Sequence, residues 1–107
     1  MTPQNSPGIY LIVEFDWPNP FTPDAGKKAR RLHDIVQNQT WIRETVAGSG
    51  GLGEGPGSIW IFWLENYGAL DRLLRDKSND ISNAYHDFFS AMPRVKDKIR
   101  EEVVFLQ

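Results

Sequence analysis

Apolar residues recur along the chain in short dense runs, and their spacing changes from run to run. Ile9-Tyr-Leu-Ile-Val-Glu-Phe15 is β-branched and aromatic and too short for a good helix, so it predicts a first strand. Asp16 to Pro23 follows, where three prolines forbid regular pairing and mark a loop. Pro23 suits the first position of a helix capped by Thr22, with Asp24 favourable in the first turn. That helix should run to about Asn38, its stripe formed by Ala25, Ala29, Leu32 and Val36 with Ile35 beside them. Thr40 to Ala47 alternates weakly and predicts a second strand. Gly48 to Gly57 then holds six of the nine glycines and predicts a long hairpin connection. Ser58 to Glu65 is the third strand and contains the densest apolar run, Ile59 to Leu64. A helix from Tyr67 to about Asp76 carries Leu70, Leu73 and Leu74. After the polar break Lys77–Asp80, a second helical piece from Ile81 to Met92 carries Ile81, Ala84, Tyr85, Phe88 and Met92, and Pro93 stops it. Glu101 to Leu106 is the expected final strand.

The order β-α-β-β-α-β is the split βαβ, or ferredoxin-like, pattern of the α+β class. It predicts one domain over residues 1–107, with residues 1–8 a disordered or extended lead-in. Right-handed crossovers put both helical layers on one face of a four-stranded antiparallel sheet in spatial order 4-1-3-2. The central strands are then the first and third, the most apolar in the chain. Strands 2 and 4 carry Arg43, Glu44, Glu101 and Glu102, as edges tend to. On the first strand Ile9, Leu11, Val13 and Phe15 are uniformly apolar and should face the helices, leaving Tyr10, Ile12 and Glu14 outward. The third strand is apolar on both sides. Its Ile59, Ile61 and Trp63 are assigned to the helices, and Trp60, Phe62 and Leu64 to the other face. So large an open apolar face, several hundred Å², is at or beyond the roughly 300–600 Å² typical of a monomer's largest patch. A homodimer packed sheet to sheet, with Tyr10, Ile12, Trp60, Phe62 and Leu64 at its interface, is therefore expected.

Composition narrows the chemistry. Twelve Lys plus Arg against fourteen Asp plus Glu give a formal net charge of −2, so no nucleic-acid or anionic-membrane partner is expected. The longest apolar run is six residues, against the roughly 20 a membrane helix needs. With no cysteine and two histidines, thiolate chemistry and a three-histidine metal site are excluded, and no metal is expected. The polar N-terminus has neither a basic region nor an apolar one, which predicts a soluble cytoplasmic protein. The excess is aromatic: four Trp, six Phe and three Tyr.

The stretch Trp60-Ile-Phe-Trp-Leu-Glu-Asn-Tyr-Gly-Ala-Leu-Asp-Arg-Leu-Leu74 resembles the end of strand 3 and start of helix 2 in antibiotic-biosynthesis-monooxygenase-type domains. Those belong to the dimeric α/β-barrel superfamily, and the element order and doubly apolar sheet are similar along nearly the whole chain. The resemblance implies a small apolar or aromatic ligand held between sheet and helices, and cofactor-independent oxidation or rearrangement of it. Haem-degrading members place an iron-ligating histidine on the second helix, but the spacing here does not carry that role to His86, and no cofactor is expected.

On this basis the ligand pocket is assigned to Leu11, Val13, Phe15, Ile61, Trp63, Tyr85, Phe88 and Phe89. His86, with an ordinary pKa near 6.5, is the candidate proton acceptor; the bland reading is a histidine bonded to a backbone carbonyl. His33, beside Leu32 and Asp34, reads as a boundary residue. Tyr10, Glu14 and Arg43 either orient a ligand or pair across the interface, the latter being favoured. Glu14 and Asp16 form an acidic pair with no histidine near them in sequence. The Gly48–Gly57 loop lacks the Gly-Lys-Ser/Thr of a phosphate loop and suits a flap over a pocket mouth. Lys27, Lys28, Arg30 and Arg31 read as a solvated helix face. A non-catalytic carrier and a regulatory or interaction dimer of the same fold remain the alternatives.

Overall fold

A computed structural model describes residues 7–76 and 80–105 of the chain. Strands β1 (Ile9–Phe15), β2 (Ile42–Ser49), β3 (Ser58–Leu64) and β4 (Lys96–Glu101) form one antiparallel sheet in the order β2-β3-β1-β4. Helices α1 (Pro23–Val36), α2 (Tyr67–Arg75) and α3 (Asp80–Phe89) form the second layer. α1 and α2 both pack on α3, and α2 also reaches β3. This is the α+β, ferredoxin-like architecture, with the most apolar strands in the centre and the expected order of neighbours.

Local chemistry sets the helix starts. Thr22 Oγ1 accepts from Ala25 N at 3.2 Å ahead of Pro23, and Asn66 Oδ1 accepts from Ala69 N at 2.9 Å ahead of α2. Gly8 is required where it stands, because a side chain there would meet the Leu64 carbonyl and crowd Trp63 Nε1 and Arg43. Its backbone pairs with Glu102, tying the entry of β1 to the exit of β4. Of the expected lead-in, residues 1–6 lie outside the described residues, as do 77–79 of the polar break and Leu106.

The two faces of the sheet separate as the register dictates. Ile9, Leu11, Val13 and Phe15 are buried under the helices, as expected. β3 is reversed from expectation. Its partners across the ladder are Leu11↔Phe62, Val13↔Trp60 and Ile9↔Leu64, and directly opposed residues share a face. Trp60, Phe62 and Leu64 therefore belong to the core and not to an outer interface, while Ile59, Ile61 and Trp63 stand on the open face. The reason is volume: Trp60 and Phe62 fill the space beneath α3, where Trp60 meets Phe88 and Phe89 at 5.5 and 6.0 Å and Phe62 meets Tyr85 at 5.9 Å.

Two boundaries also move. β4 occupies Lys96–Glu101 rather than Glu101 to Leu106, since those six residues pair along β1 from Glu14 to Ile9. Val103, Val104 and Phe105 continue past the sheet and are exposed. β2 begins at Ile42 and reaches Ser49, two residues later than expected at both ends, with a register irregularity between Ile42 and Glu44. The open face thus carries Tyr10, Ile12, Ile59, Ile61, Trp63 and Val46, rimmed by Lys96, Lys98 and Arg100 on β4. Among the described residues no helix is long and apolar enough to cross a membrane.

Candidate functional site

The helical layer does not cover the sheet evenly. Where α1 passes over β2 and β3, the facing residues are small: Ala29 on the helix and Ala47 on the strand, with the bare backbone of Gly48 beside it. A leucine at either alanine would fill that space; alanine leaves it empty. The result is a cleft of about 420 Å³, lined by Phe15, Trp17, Ala29, Arg30, His33, Ala47, Gly48, Ser49 and Trp60. Its size falls within the range of roughly 300–1,000 Å³ usual for small-molecule sites.

Its aromatic walls are fixed by their own contacts. The Trp60 indole donates to Thr45 Oγ1 at 2.6 Å, and Thr45 donates in turn to the Ile61 carbonyl at 3.0 Å, so the ring cannot turn without breaking a partly buried bond. Trp17 stands edge-on to Phe15, Phe21 and Phe88, with centroids 5.4, 5.4 and 5.5 Å away. Phe15 itself is held by Phe88 and Phe89, each at 5.5 Å. Aromatic faces arranged this way offer stacking and edge contacts to a flat guest.

Beyond Trp17 and Ser49 the cleft adjoins a second, more polar hollow of about 640 Å³, bounded by Asp16, Asn19, Gly50, Gly57, Ser58 and Pro93. Here the glycine-rich loop folds back. Gly50 N donates to the Gly57 carbonyl at 2.8 Å, and Gly57 N donates to Asp16 Oδ1 at 2.8 Å. Gly50 and Gly55, at φ 80° and 93°, take a backbone conformation that disfavours other residues. Arg94 holds the other Asp16 oxygen at 3.3 Å, so this carboxylate is committed to anchoring the loop. Glu14 faces away and pairs with Lys98 at 3.1 Å. The two acids do not form one site.

The structure redistributes the expected site residues. Of the expected pocket set only Phe15 lines the cleft. Leu11, Val13, Tyr85, Phe88 and Phe89 are packed core behind it, and Ile61 and Trp63 are on the opposite face. Burial, together with the nearby Asp97 charge, pushes the Tyr85 phenol well above the ordinary tyrosine range, so it stays protonated. His86 sits on the exposed side of α3, and its Nε2–H donates to the Leu74 carbonyl at 2.6 Å, joining α3 to α2. That is the bland reading. His86→Ala should cost at most about 1 kcal/mol of stability, the worth of one such bond, and leave guest binding unchanged; urea unfolding and a ligand titration check both. Arg43 and Glu14 find their partners within the chain: Arg43 reaches Glu102 at 3.5 Å, and Trp63 Nε1 shares that carboxylate at 3.1 Å.

The histidine that does reach the cleft is His33. It lies one turn from Ala29 and three residues from Arg30, which puts all three along one side of α1. Gln37 Nε2 stands 3.4 Å from His33 Nε2. The His33 Nδ1 lies 3.5 Å from Asp34 Oδ1. Trp17, Ala47 and Ser49 carry no motif that marks them as site residues, although Trp17's place in a proline-rich loop next to β1 is a usable hint.

The fold and this cleft define a class: a ferredoxin-like α+β protein with a small apolar site between helix and sheet. Solved structures share the fold. A dimeric ferredoxin-like protein of unknown function from Thermobifida fusca matches with a TM-score of 0.65 at 17% identity, over 90% of this chain and 92% of that one. An ethyl tert-butyl ether degradation (EthD) family protein from Bacillus halodurans gives 0.62 at 14% identity, over 90% and 99%. A candidate antibiotic biosynthesis monooxygenase from Deinococcus radiodurans gives 0.56 at 15% identity, over 94% and 96%. At such identities the likeness establishes the fold, which is the one the resemblance implied. No protein-family model and no curated protein matches the sequence.

Proposed function

We propose that the protein binds a small apolar or aromatic molecule in the cleft between α1 and the β2–β3 half of the sheet, and that it does so as a homodimer. The observation that carries the first part is the gap left by Ala29 and Ala47 against walls of Phe15, Trp17 and Trp60. The second part rests on the open face, where six apolar residues from three adjacent strands lie uncovered by any helix. An antiparallel sheet can expose one face to water, but usually a polar one. The dimeric Thermobifida fusca protein shares this fold.

Two tests go together. Sedimentation equilibrium should give twice the 12.3 kDa chain mass, and a stable monomer at high concentration would refute the dimer. Native mass spectrometry of freshly purified protein should show an added small-molecule mass, or uptake of an aromatic probe, that Ala29→Leu abolishes by filling the cleft. Equal uptake by that variant would refute the site.

Carriage of the guest without chemistry has a specific observation behind it. His86, on the exposed side of α3 against Leu74, and Tyr85, held protonated in the core, do not line the cleft. Oxidation or rearrangement of the kind implied by the resemblance would leave His33 as the acceptor. Substrate-dependent oxygen uptake lost in His33→Ala distinguishes an oxidising enzyme from a carrier.

A further inference from the structure

We infer that the guest carries an acidic group, a carboxylate or an ionised phenol, on its aromatic body, recognised by Arg30 and His33 at the α1 side of the cleft. This rests on the proposed small-molecule site and specifies what fills it. The cleft's walls are almost wholly apolar; Arg30, His33 and Ser49 supply its polar side chains. An entirely apolar guest would gain nothing from a guanidinium and an imidazole at that wall, whereas an anion gains charge-assisted hydrogen bonds.

Arg30 has donors to give. Its Nε is taken by both carboxylate oxygens of Asp34 at 3.2 Å, which steadies the side chain along α1. The terminal guanidinium nitrogens are not part of that contact. The acids nearest the site are each paired with an arginine, which offsets their charge. Asp34 is spent on Arg30 and His33 and does not line the cleft, and Asp16, in the adjoining hollow, is bound to Gly57 N and Arg94. Arg30 and His33 stand three residues apart, one helical turn, so a single planar acid lying along the α1 wall can address both. Trp17, Phe15 and Trp60 then meet the ring that bears it.

The test compares naphthalene-1-carboxylate with 1-naphthalenemethanol, which match in shape and differ in charge. Calorimetric titration of the full chain gives the affinities, and the indole N–H resonances of Trp17 and Trp60 report the location. We expect the carboxylate to bind about tenfold tighter, the effect of one charge-assisted bond, with both indoles shifting. Arg30→Gln should bring that ratio to about one. Arg30 is largely exposed, so the fold should survive, and an unchanged urea midpoint verifies it. Equal affinity of the two probes for the natural chain overturns the inference and leaves the site standing. A preference that Arg30→Gln and His33→Asn both leave intact overturns it as well. Failure of both probes to bind or to shift either indole refutes the underlying site.

Discussion

Phe62→Ala should destabilise the protein by roughly 3–5 kcal/mol, the usual cost of emptying a buried phenylalanine position. The ring is fully buried at the centre of β3, stacked on Trp60 at 5.5 Å and edge-on to Tyr85 at 5.9 Å. Its neighbours cannot collapse into the gap. Trp60 is held by Thr45, and Leu11 faces it across the ladder from a strand paired on both sides. A domain of this size has about 5–15 kcal/mol in all, so the urea midpoint should fall by about a fifth or more. The loss should not depend on protein concentration, because Phe62 lies in the core of a single chain. A loss that grows on dilution would put Phe62 at a subunit contact, as the alternation of β3 alone first suggested.

That reversal marks the limit of what the sequence could say. β1 announces its inner face because one parity, Ile9 to Phe15, is uniformly apolar and the other contains Glu14. β3 contains no such contrast: Ile59-Trp-Ile-Phe-Trp-Leu64 is apolar at every position, and a one-residue slip exchanges the faces. Only the pairing with β1 decides, and that register depends on a helix and two loops whose exact reach the sequence does not state. β4 was missed for the opposite reason. Lys96-Asp-Lys-Ile-Arg-Glu101 is an edge strand held by backbone pairing, with little apolar signal, while the exposed Val103-Val104-Phe105 beyond it looks more strand-like. The helix starts at Thr22 and Asn66 follow short-range rules and needed no tertiary knowledge.

The site is harder still to read, because it is made by side chains that are not there. Ala29 belongs to an apolar stripe, as the helical spacing says, yet its contribution is the volume it leaves against Ala47. Those two residues stand on elements that meet only in three dimensions. The sequence favours His86 over His33 as the proton acceptor, although both stand at the border of a helical stripe. What separates them is the layer geometry: α1 lies over the thinly filled half of the sheet, whereas His86 lies against the end of α2 and finds a carbonyl there. The same asymmetry gives the two faces of the sheet different tasks. The helical side has room for a guest, and the open side has the flat apolar area that a second copy would cover.

Ile61→Asp should split the proposed dimer. Ile61 is at the middle of the open face, with Ile12 opposite it on β1 and Val46 opposite it on β2. A carboxylate there would be desolvated against apolar side chains with no cation directly across the ladder. Lys98 is opposite Ile12 and already bonded to Glu14. In a two-fold interface each substitution counts twice, and two such acids approach the axis together. A cost of at least about 4 kcal/mol corresponds to a roughly thousandfold weaker dimer. The isolated chain has less to lose, since Ile61 is only half-buried and its side chain reaches solvent once the partner leaves. Sedimentation velocity should therefore show a folded monomer with an unchanged far-ultraviolet spectrum. A variant that remains dimeric would place the subunit contact elsewhere, with the exposed Val103–Phe105 segment the next surface to test.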